Sequence, residues 1–216
     1  MLFPNTVSNA SASNASIELG IKGPNVTFVQ RFCSAESAFM MACRFIAEGR
    51  ADIMLAGGAD DLTQLMMTGF SSIGQLRRYA SCFGEGSGIV VLECASHAAR
   101  RGAVPRAVVQ RINTVALMPQ GLEDEGIERL FADADFKGLI SISGTASDFP
   151  PIMRRIAGRP LIDTAALVGR SLAMGGTSIA TLLASLGDGQ SGLHLSASPE
   201  GPYYAIRFSG GTPVQS

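Results

Sequence analysis

The α/β character of the chain is clearest in residues 32–58, which read FCSAESAFMMACRFIAEGRADIMLAGG. Over residues 34–48 apolar side chains recur every three or four positions, which predicts an amphipathic helix that ends at Gly49. Residues 52–56 are almost wholly apolar, which predicts a buried parallel strand. Gly57 and Gly58 then predict a tight turn.

Strand and helix patterns alternate on both sides of this segment, which predicts an α/β fold with helices packed on mixed sheets. Residues 102–105 form a junction between two halves, 1–104 and 105–216, of one continuous globular unit. The predicted elements are a helix over 8–19, strands over 26–29 and 89–92, a short helix over 96–101, a strand over 107–112, a helix over 123–131, a strand over 138–143, a helix near 152–156, a helical region over 166–186 and a hairpin over 193–208.

The composition excludes several classes of protein. The chain has 216 residues, of which 46% are hydrophobic and 16% charged, so it is not a disordered chain. Its net charge of -1 gives no basic excess for a nucleic acid. No apolar run approaches the roughly 18 residues of a membrane span, and the first ten residues lack the pattern of a signal peptide. The sequence therefore predicts a soluble, cytoplasmic protein.

The cysteines and histidines do not form a metal-binding pattern. His97 and His194 lie far apart in sequence, and no two cysteines form a C-x-x-C pair, so neither a zinc site nor a disulfide framework is expected. The glycine-rich loops that cradle phosphates are absent as well. The sequence predicts no metal and no cofactor.

One cysteine occupies a position that suits a nucleophile. Cys33 lies where a strand meets the N-terminus of the helix over 34–48, and the helix dipole there can lower the pKa of a thiol. The alternative is that Cys33 is a small buried hydrophobic residue. His194 lies in a predicted strand, where it is either a packing residue or a functional one.

Several motifs in order along the chain resemble those of the β-ketoacyl synthases, the condensing enzymes of fatty-acid and polyketide synthesis. The resemblance covers nearly the whole chain and is most specific over residues 3–102. It implies a thiolase-like fold of α-β-α-β-α layers that lacks the early N-terminal part of the family. The segments that carry it are KGPNVT (22–27), the helix over 34–49, ADIMLAGG (51–58), FGEGSGIVVLE (83–93), SGT (143–145) and GR (169–170).

The resemblance also implies where the catalytic residues of the family would lie. The family uses a cysteine nucleophile, two histidines and a lysine. Here the nucleophile position falls on Phe32, with Cys33 as the alternative, and the two histidine positions fall on Ser143 and Arg170. The lysine position falls on Ala165. A serine does not act as an imidazole near neutral pH, and an arginine keeps its proton.

Two further sets of residues are candidates for contacts. The family pairs through a strand beside its active site, and an apolar edge strand favours pairing in its own right. Candidates for that dimer interface are Val26, Thr27, Phe28 and Val29. Candidates for lining an acyl pocket are Phe32, Cys33, Phe39, Met40 and Met41, with core packing as the alternative for these side chains. The family's Gly-Phe-Gly-Gly loop is replaced by ASPEG at 197–201.

Three functions follow from these observations. The first is a non-catalytic subunit, similar to a chain-length factor, that forms a heterodimer with an active ketosynthase and works with an acyl carrier protein. The second is a reduced acyltransferase or condensing enzyme that uses Cys33. The third is a homodimeric scaffold that binds only proteins.

Overall fold

The computed structural model of the chain describes residues 7–74, 83–132 and 136–211. Within these ranges the backbone forms helices and two sheets. The helices are α1 (Ala10–Glu18), α2 (Ser34–Ala47), α3 (Gln64–Ser72), α4 (Ala95–Arg100), α5 (Glu123–Phe131), α6 (Pro150–Arg155), α7 (Thr164–Val168) and α8 (Met174–Ser185). The strands are β1 (Ile53–Asp60), β2 (Gly86–Glu93), β3 (Ala107–Val115), β4 (Leu139–Gly144), β5 (Leu161–Asp163), β6 (Ser191–Ala197) and β7 (Tyr203–Gly210).

The two sheets sandwich a pair of helices. β1 and β2 form an antiparallel pair, and the other strands form a five-stranded sheet in the order β3-β7-β6-β4-β5. In the larger sheet β4 is parallel to both β5 and β6, whereas β7 is antiparallel to β6 and β3. Helices α2 and α8 pack between the sheets, and α5 and α6 cover the outer face of the larger sheet. The elements therefore stack in alternating layers.

Alternation along β4 and β6 separates an apolar face from a polar one. Successive side chains of a strand point to opposite faces of the sheet. Ile140 and Ile142 of β4 join the apolar core beneath α5 and α6, as do Leu193 and Leu195 of β6. The residues between them are polar and buried, and they face α2 and α8: Ser141, Ser143, His194 and Ser196. A buried polar surface therefore meets the start of α2.

The helix predicted over 34–48 is confirmed, and its apolar side builds the inner core. Phe39 and Ala42 are buried against α8 and the larger sheet. The Phe39 ring lies edge-on to Phe208 of β7, with 5.9 Å between ring centroids. The helix predicted over 123–131 is also confirmed, since α5 has the same bounds.

The prediction of a buried parallel strand over 52–56 is wrong in both respects. β1 pairs with β2 in an antiparallel register that places Leu55 opposite Val91. Both side chains are exposed, at 47% and 65%. The sequence of residues 52–56 is almost wholly apolar. In so short an apolar run, periodicity does not distinguish a buried parallel strand from a partly exposed antiparallel one.

Gly57 and Gly58 lie inside β1, so the tight turn predicted for them is also wrong. A Cβ atom on Gly58 would lie 2.7 Å from the Cβ atom of Ala173, just ahead of α8, and one on Gly57 would lie 1.9 Å from the carbonyl oxygen of Gly88. Gly58 therefore lets the start of α8 approach β1 closely, whereas Gly57 leaves room for the backbone of β2.

Two other predicted elements differ in the structure. Residues 26–29 have no strand assignment, because no neighbouring strand in the described ranges offers them a hydrogen-bonding partner. The helical region over 166–186 is split into α7 and α8 at Gly169, whose φ of +84° lies in the left-handed region. No helix in the described parts of the chain is long and apolar enough to cross a membrane.

Candidate functional site

Three residues that the sequence singled out converge at the C-terminal end of β4. A Cβ atom on Gly144 would lie 3.2 Å from the Cβ atom of Phe32, which precedes α2. The Nη1 atom of Arg170 lies 3.4 Å from the carbonyl oxygen of Gly144. Ser143 directly precedes Gly144 in β4. The structure therefore brings together the positions assigned to the nucleophile and to both histidines, Phe32, Ser143 and Arg170.

A strained turn presents Phe32 to this site. Arg31 has a φ of +50°, an uncommon conformation for a residue with a side chain, and it begins a 3₁₀ turn over Arg31–Cys33. Phe32 is only 4% exposed. Its benzyl group therefore occupies the interior at the position that the sequence analysis assigned to the nucleophile, with Cys33 as the alternative.

Ser143 belongs to a buried network centred on Glu36. Its hydroxyl donates to Oε1 of Glu36 at 2.6 Å, and the Nε2 atom of His194 lies 2.9 Å from the same oxygen. On the other side of the imidazole, Nδ1 lies 2.9 Å from the hydroxyl of Ser141. All four side chains are at most 2% exposed. The network joins α2 to β4 and β6.

The environment of Glu36 favours its ionised form. Burial alone would raise the pKa of this carboxyl, but the hydrogen bond from His194, the charge on that ring and the hydroxyl of Ser143 lower it further than burial raises it. Its second oxygen, Oε2, is buried and has no hydrogen-bond partner among the residues that the structure describes. Glu36 and His194 thus form a buried pair of ionisable groups.

Cys33 has the surroundings of a packed thiol. It is fully buried, and its Sγ atom lies 3.2 Å from both the hydroxyl of Ser196 and the carbonyl oxygen of Pro202. Burial, followed by the nearby charge of Glu36, raises the pKa of this thiol well above its ordinary value. This direction is opposite to the one expected from the helix dipole alone.

Arg170 is held by a half-exposed carboxylate. Its guanidinium reaches both oxygens of Asp148, with Nη1–Oδ2 at 2.5 Å and Nη2–Oδ1 at 3.1 Å. Nη2 also lies 3.2 Å from the hydroxyl of Ser147. Asp148 closes the 3₁₀ turn after β4, so this ion pair anchors the turn against the segment that precedes α8.

A cavity opens beside this ion pair. Its volume is about 230 Å³, and its walls include Thr145, Asp148, Phe149, Ser198, Pro199 and Tyr203. Part of the wall comes from the ASPEG segment that replaces the glycine-rich loop of the family. Glu200 of this segment forms an exposed ion pair with Arg31 at 2.8 Å.

The remaining candidates lie in varied surroundings. Ala165, which the sequence analysis assigned to the lysine position, is buried at the start of α7 and brings only a methyl group there. Phe39 belongs to the core described above, whereas Met40 and Met41 are half-buried on α2. Among the dimer candidates, Val26, Thr27 and Val29 are exposed and Phe28 is half-buried. Their roles in an acyl pocket or an interface stay predictions. No cluster of potential metal ligands occurs among the residues that the structure describes.

Known proteins share sequence with the N-terminal part of this chain. Residues 1–98 match the family model of the β-ketoacyl synthase N-terminal domain. The 3-oxoacyl-[acyl-carrier-protein] synthase 2 of Vibrio cholerae is 36% identical over 117 residues, which cover 46% of this chain and 28% of that enzyme. Residues 1–98, a little under half of the chain, are therefore similar in sequence to the N-terminal domain of the β-ketoacyl synthases.

Solved structures extend the likeness in fold to almost the whole length of the chain. The ishigamide ketosynthase/chain length factor superposes with a TM-score of 0.76 at 19% identity, covering 96% of this chain and 63% of that one. A type II PKS acyl-carrier protein in complex with its ketosynthase bound to the hexaketide gives 0.74 at 17% identity, covering 94% and 65%. The predicted thiolase-like fold is confirmed. The chain spans under a third of its curated relative and about two thirds of these structures.

The sequence patterns did not indicate a role for Glu36 or Asp148. Glu36 follows the predicted nucleophile position by one helical turn, and Asp148 follows the serine-glycine-threonine motif by three residues. A signal for Glu36 was present in the partner strands. Polar residues that alternate with apolar ones in predicted core strands, as at Ser141, Ser143 and His194, require a buried polar partner.

Proposed function

We propose that the chain is a non-catalytic subunit of the β-ketoacyl synthase type, which pairs with an active ketosynthase in fatty-acid or polyketide biosynthesis. In the manner of a chain-length factor it would help to shape the acyl tunnel of its partner. Its structural neighbours include a ketosynthase/chain length factor and an acyl-carrier protein in complex with its ketosynthase. The partners that we propose are therefore an active ketosynthase subunit and an acyl carrier protein.

The observation that carries this proposal is the burial of Phe32 against Gly144. Covalent catalysis by a condensing enzyme needs a side chain that can attack a thioester. A phenyl ring has no such group, and Phe32 leaves little room for a neighbour to replace it, because it is 4% exposed. The position assigned to the nucleophile is thus filled with hydrocarbon.

The groups at the two histidine positions are engaged elsewhere. Ser143 donates to Glu36, and Arg170 binds Asp148. An arginine in an ion pair stays protonated near neutral pH, so it does not serve as a general base. Decarboxylation and proton transfer of the family type therefore lack their usual residues.

An uncovered sheet face supports pairing with another chain. Within the described residues, β1 and β2 have no third strand beside them. One face of the pair presents aliphatic side chains that are 46% to 65% exposed: Ile53, Leu55, Ile89 and Val91. Two-stranded sheets are marginal alone, and exposed apolar patches mark interaction surfaces. A partner that covers this face would stabilise it.

A reduced acyltransferase that uses Cys33 has less support. A thioester must reach the nucleophile, and the nucleophile must be a thiolate. Cys33 is fully buried and its pKa is raised. The third function, a homodimeric scaffold, would differ from the proposed heterodimer in the mass of the complex that the chain forms.

The catalytic part of the proposal is tested with Phe32→Cys. The wild-type chain, Phe32→Cys and Cys33→Ser are each incubated with acyl thioesters of an acyl carrier protein and weighed intact. We expect no adduct on the wild-type chain, and no condensation product from Phe32→Cys even if the new thiol is acylated. Condensation by Phe32→Cys would overturn the proposal. An adduct on wild type that Cys33→Ser removes would establish the acyltransferase instead.

A further inference from the structure

The cavity beside the turn after β4 has an acidic wall. Its volume is about 230 Å³, and the described residues of its wall include the carboxylate of Asp148 and no basic side chain. The side chain of Asp148 is 46% exposed, although both of its oxygens accept hydrogen bonds from Arg170. A carboxylate has about four lone-pair positions, and the guanidinium takes two of them. Asp148 can therefore still accept hydrogen bonds from a ligand in the cavity.

Two hydroxyls in the wall offer further acceptors. The Oγ1 atom of Thr145 donates to the carbonyl oxygen of Ala197 at 3.0 Å, and the Oγ atom of Ser198 donates to Oε2 of Glu200 at 3.2 Å. A hydroxyl has one hydrogen and two lone pairs, so these two hydroxyls keep only lone pairs for a ligand. Together with Asp148 they suit a group that donates hydrogen bonds and accepts none.

Aromatic rings form another part of the wall. The ring centroids of Phe149 and Tyr203 lie 5.2 Å apart, and the ring planes make an angle of 44°. The face of an aromatic ring attracts a cation. Burial and, to a smaller extent, neighbouring negative charges, those of Glu123 and Glu200 among them, raise the pKa of the Tyr203 hydroxyl. The same negative charges favour a positively charged ligand.

We propose that this cavity binds a small primary ammonium ion. An ammonium group has three donors and no acceptor, which matches the lone pairs of Thr145, Asp148 and Ser198. Its methylene groups pack against Phe149 and Tyr203. The volume of the cavity is below that of sites for drug-sized molecules, so the ligand has only a few carbon atoms. The proposal goes beyond the function proposed above, because it holds whether or not the chain pairs with a ketosynthase.

The charge of Arg170 limits the affinity that we expect. Arg170 has a side chain that is only 7% exposed and lies outside the described wall, so it neutralises part of the charge of Asp148 without entering the cavity. The ligand therefore meets a half-exposed ion pair and not a free carboxylate. Because exposed ion pairs contribute little, we expect a dissociation constant on the order of 1 mM. Added salt should weaken the binding further.

The test titrates the isotope-labelled chain with butylammonium chloride or with butanol at pH 7 and follows the backbone amide signals by NMR. The two probes have similar shapes, and only the amine is charged at this pH. We expect butylammonium to bind roughly fivefold more tightly than butanol and to shift the signals of Thr145, Asp148 and Ser198. Equal affinities, or shifts confined to other parts of the chain, would overturn the proposal.

A substitution in the wall tests the part played by the carboxylate. Asp148→Asn should weaken the binding of butylammonium by roughly fivefold, because it removes the charge that attracts the cation, and should leave butanol unchanged. Glu48→Gln is the matched control, since Glu48 is also a carboxylate paired with an arginine but follows the C-terminal end of α2. An Asp148→Asn chain that binds butylammonium as tightly as the Glu48→Gln chain does would overturn the proposal.

If Asp148→Asn fails to fold, Phe149→Leu decides. This substitution removes an aromatic face and keeps an apolar side chain. It should weaken the binding of butylammonium more than that of butanol. A loss of affinity for butylammonium that is no larger than the loss for butanol would overturn the proposal.

Discussion

The hydroxyl of Ser143 donates to Glu36 across 2.6 Å, although 107 residues separate the two in sequence. The same carboxylate oxygen meets His194 at 2.9 Å. The sequence analysis assigned Ser143 to a position where condensing enzymes have a histidine. Here the group at that position helps to hold α2 against β4 and β6, so its contacts are those of a structural residue.

Removal of Glu36 should destabilise the chain strongly. Removing one partner of a buried hydrogen-bonded pair leaves an unpaired polar group in the interior, so we expect Glu36→Ala to lower the free energy of unfolding by about 3 kcal/mol. Urea denaturation measures this change. Glu48→Ala is the control, since Glu48 forms an exposed ion pair with Arg44 and should contribute little. Similar effects of the two substitutions would contradict the structural role of Glu36.

The carboxylate of Glu36 should make the free energy of unfolding depend on pH in the acidic range. Because the pKa of Glu36 is lowered from 4.5 in the folded chain, its contribution to stability is complete above about pH 4.5 and is lost as pH falls through the folded value. Unfolding free energies from pH 7 to 3 should therefore fall less steeply for Glu36→Gln than for wild type. Glu128→Gln, on the exposed side of α5, controls for the loss of one charge. Parallel curves for Glu36→Gln and wild type would refute the expectation.

The cysteines should differ in reactivity in the native chain. Hydrogen bonds from the hydroxyl and amide of Ser96 and from the amide of His97 lower the pKa of the half-buried Cys94 thiol, whereas Cys33 is buried with a raised pKa. Burial also raises the pKa of Cys43 to about 11. Pulses of iodoacetamide at pH 8, read by peptide mass, should label Cys94 well before Cys33 or Cys43. If Cys33 of the native chain were labelled as fast as Cys94, this result would support the hypothesis of an acyltransferase that uses Cys33.

Gly144 should tolerate no side chain. Its φ is +62°, and a Cβ atom would lie 2.4 Å from the carbonyl oxygen of Ala197 and 3.2 Å from Phe32. Gly158 has a similar φ of +74° with open space around it. Gly158→Ala should therefore cost about 1 kcal/mol from backbone strain alone, and Gly144→Ala clearly more. Equal losses in urea denaturation would mean that Phe32 and Gly144 are not packed as described.

Local sequence patterns predicted those elements whose structure depends on local contacts. The spacing of apolar residues located α2 and α5, which need only one apolar face and a stop signal. Local patterns did not predict how β1 pairs, because the pairing depends on β2, which lies beyond α3 in the sequence. They also assigned a strand to residues 26–29, where the composition is suitable but a partner strand is missing from the described chain.

The candidate site was predictable to a similar degree. Motif positions identified Phe32, Ser143 and Arg170, and the structure places them together. The contacts that decide what these residues can do come from Glu36 and Asp148. Glu36 meets His194 across 158 residues of sequence, and no local pattern encodes such a contact.

The central claim is that the chain works as one subunit beside an active ketosynthase. Native mass spectrometry of the tagged chain, purified gently from its own host, tests it most directly. The account predicts a complex of the chain with a second protein that peptide sequencing identifies as a ketosynthase with its cysteine and both histidines. A complex that contains only one or two copies of this chain would contradict it.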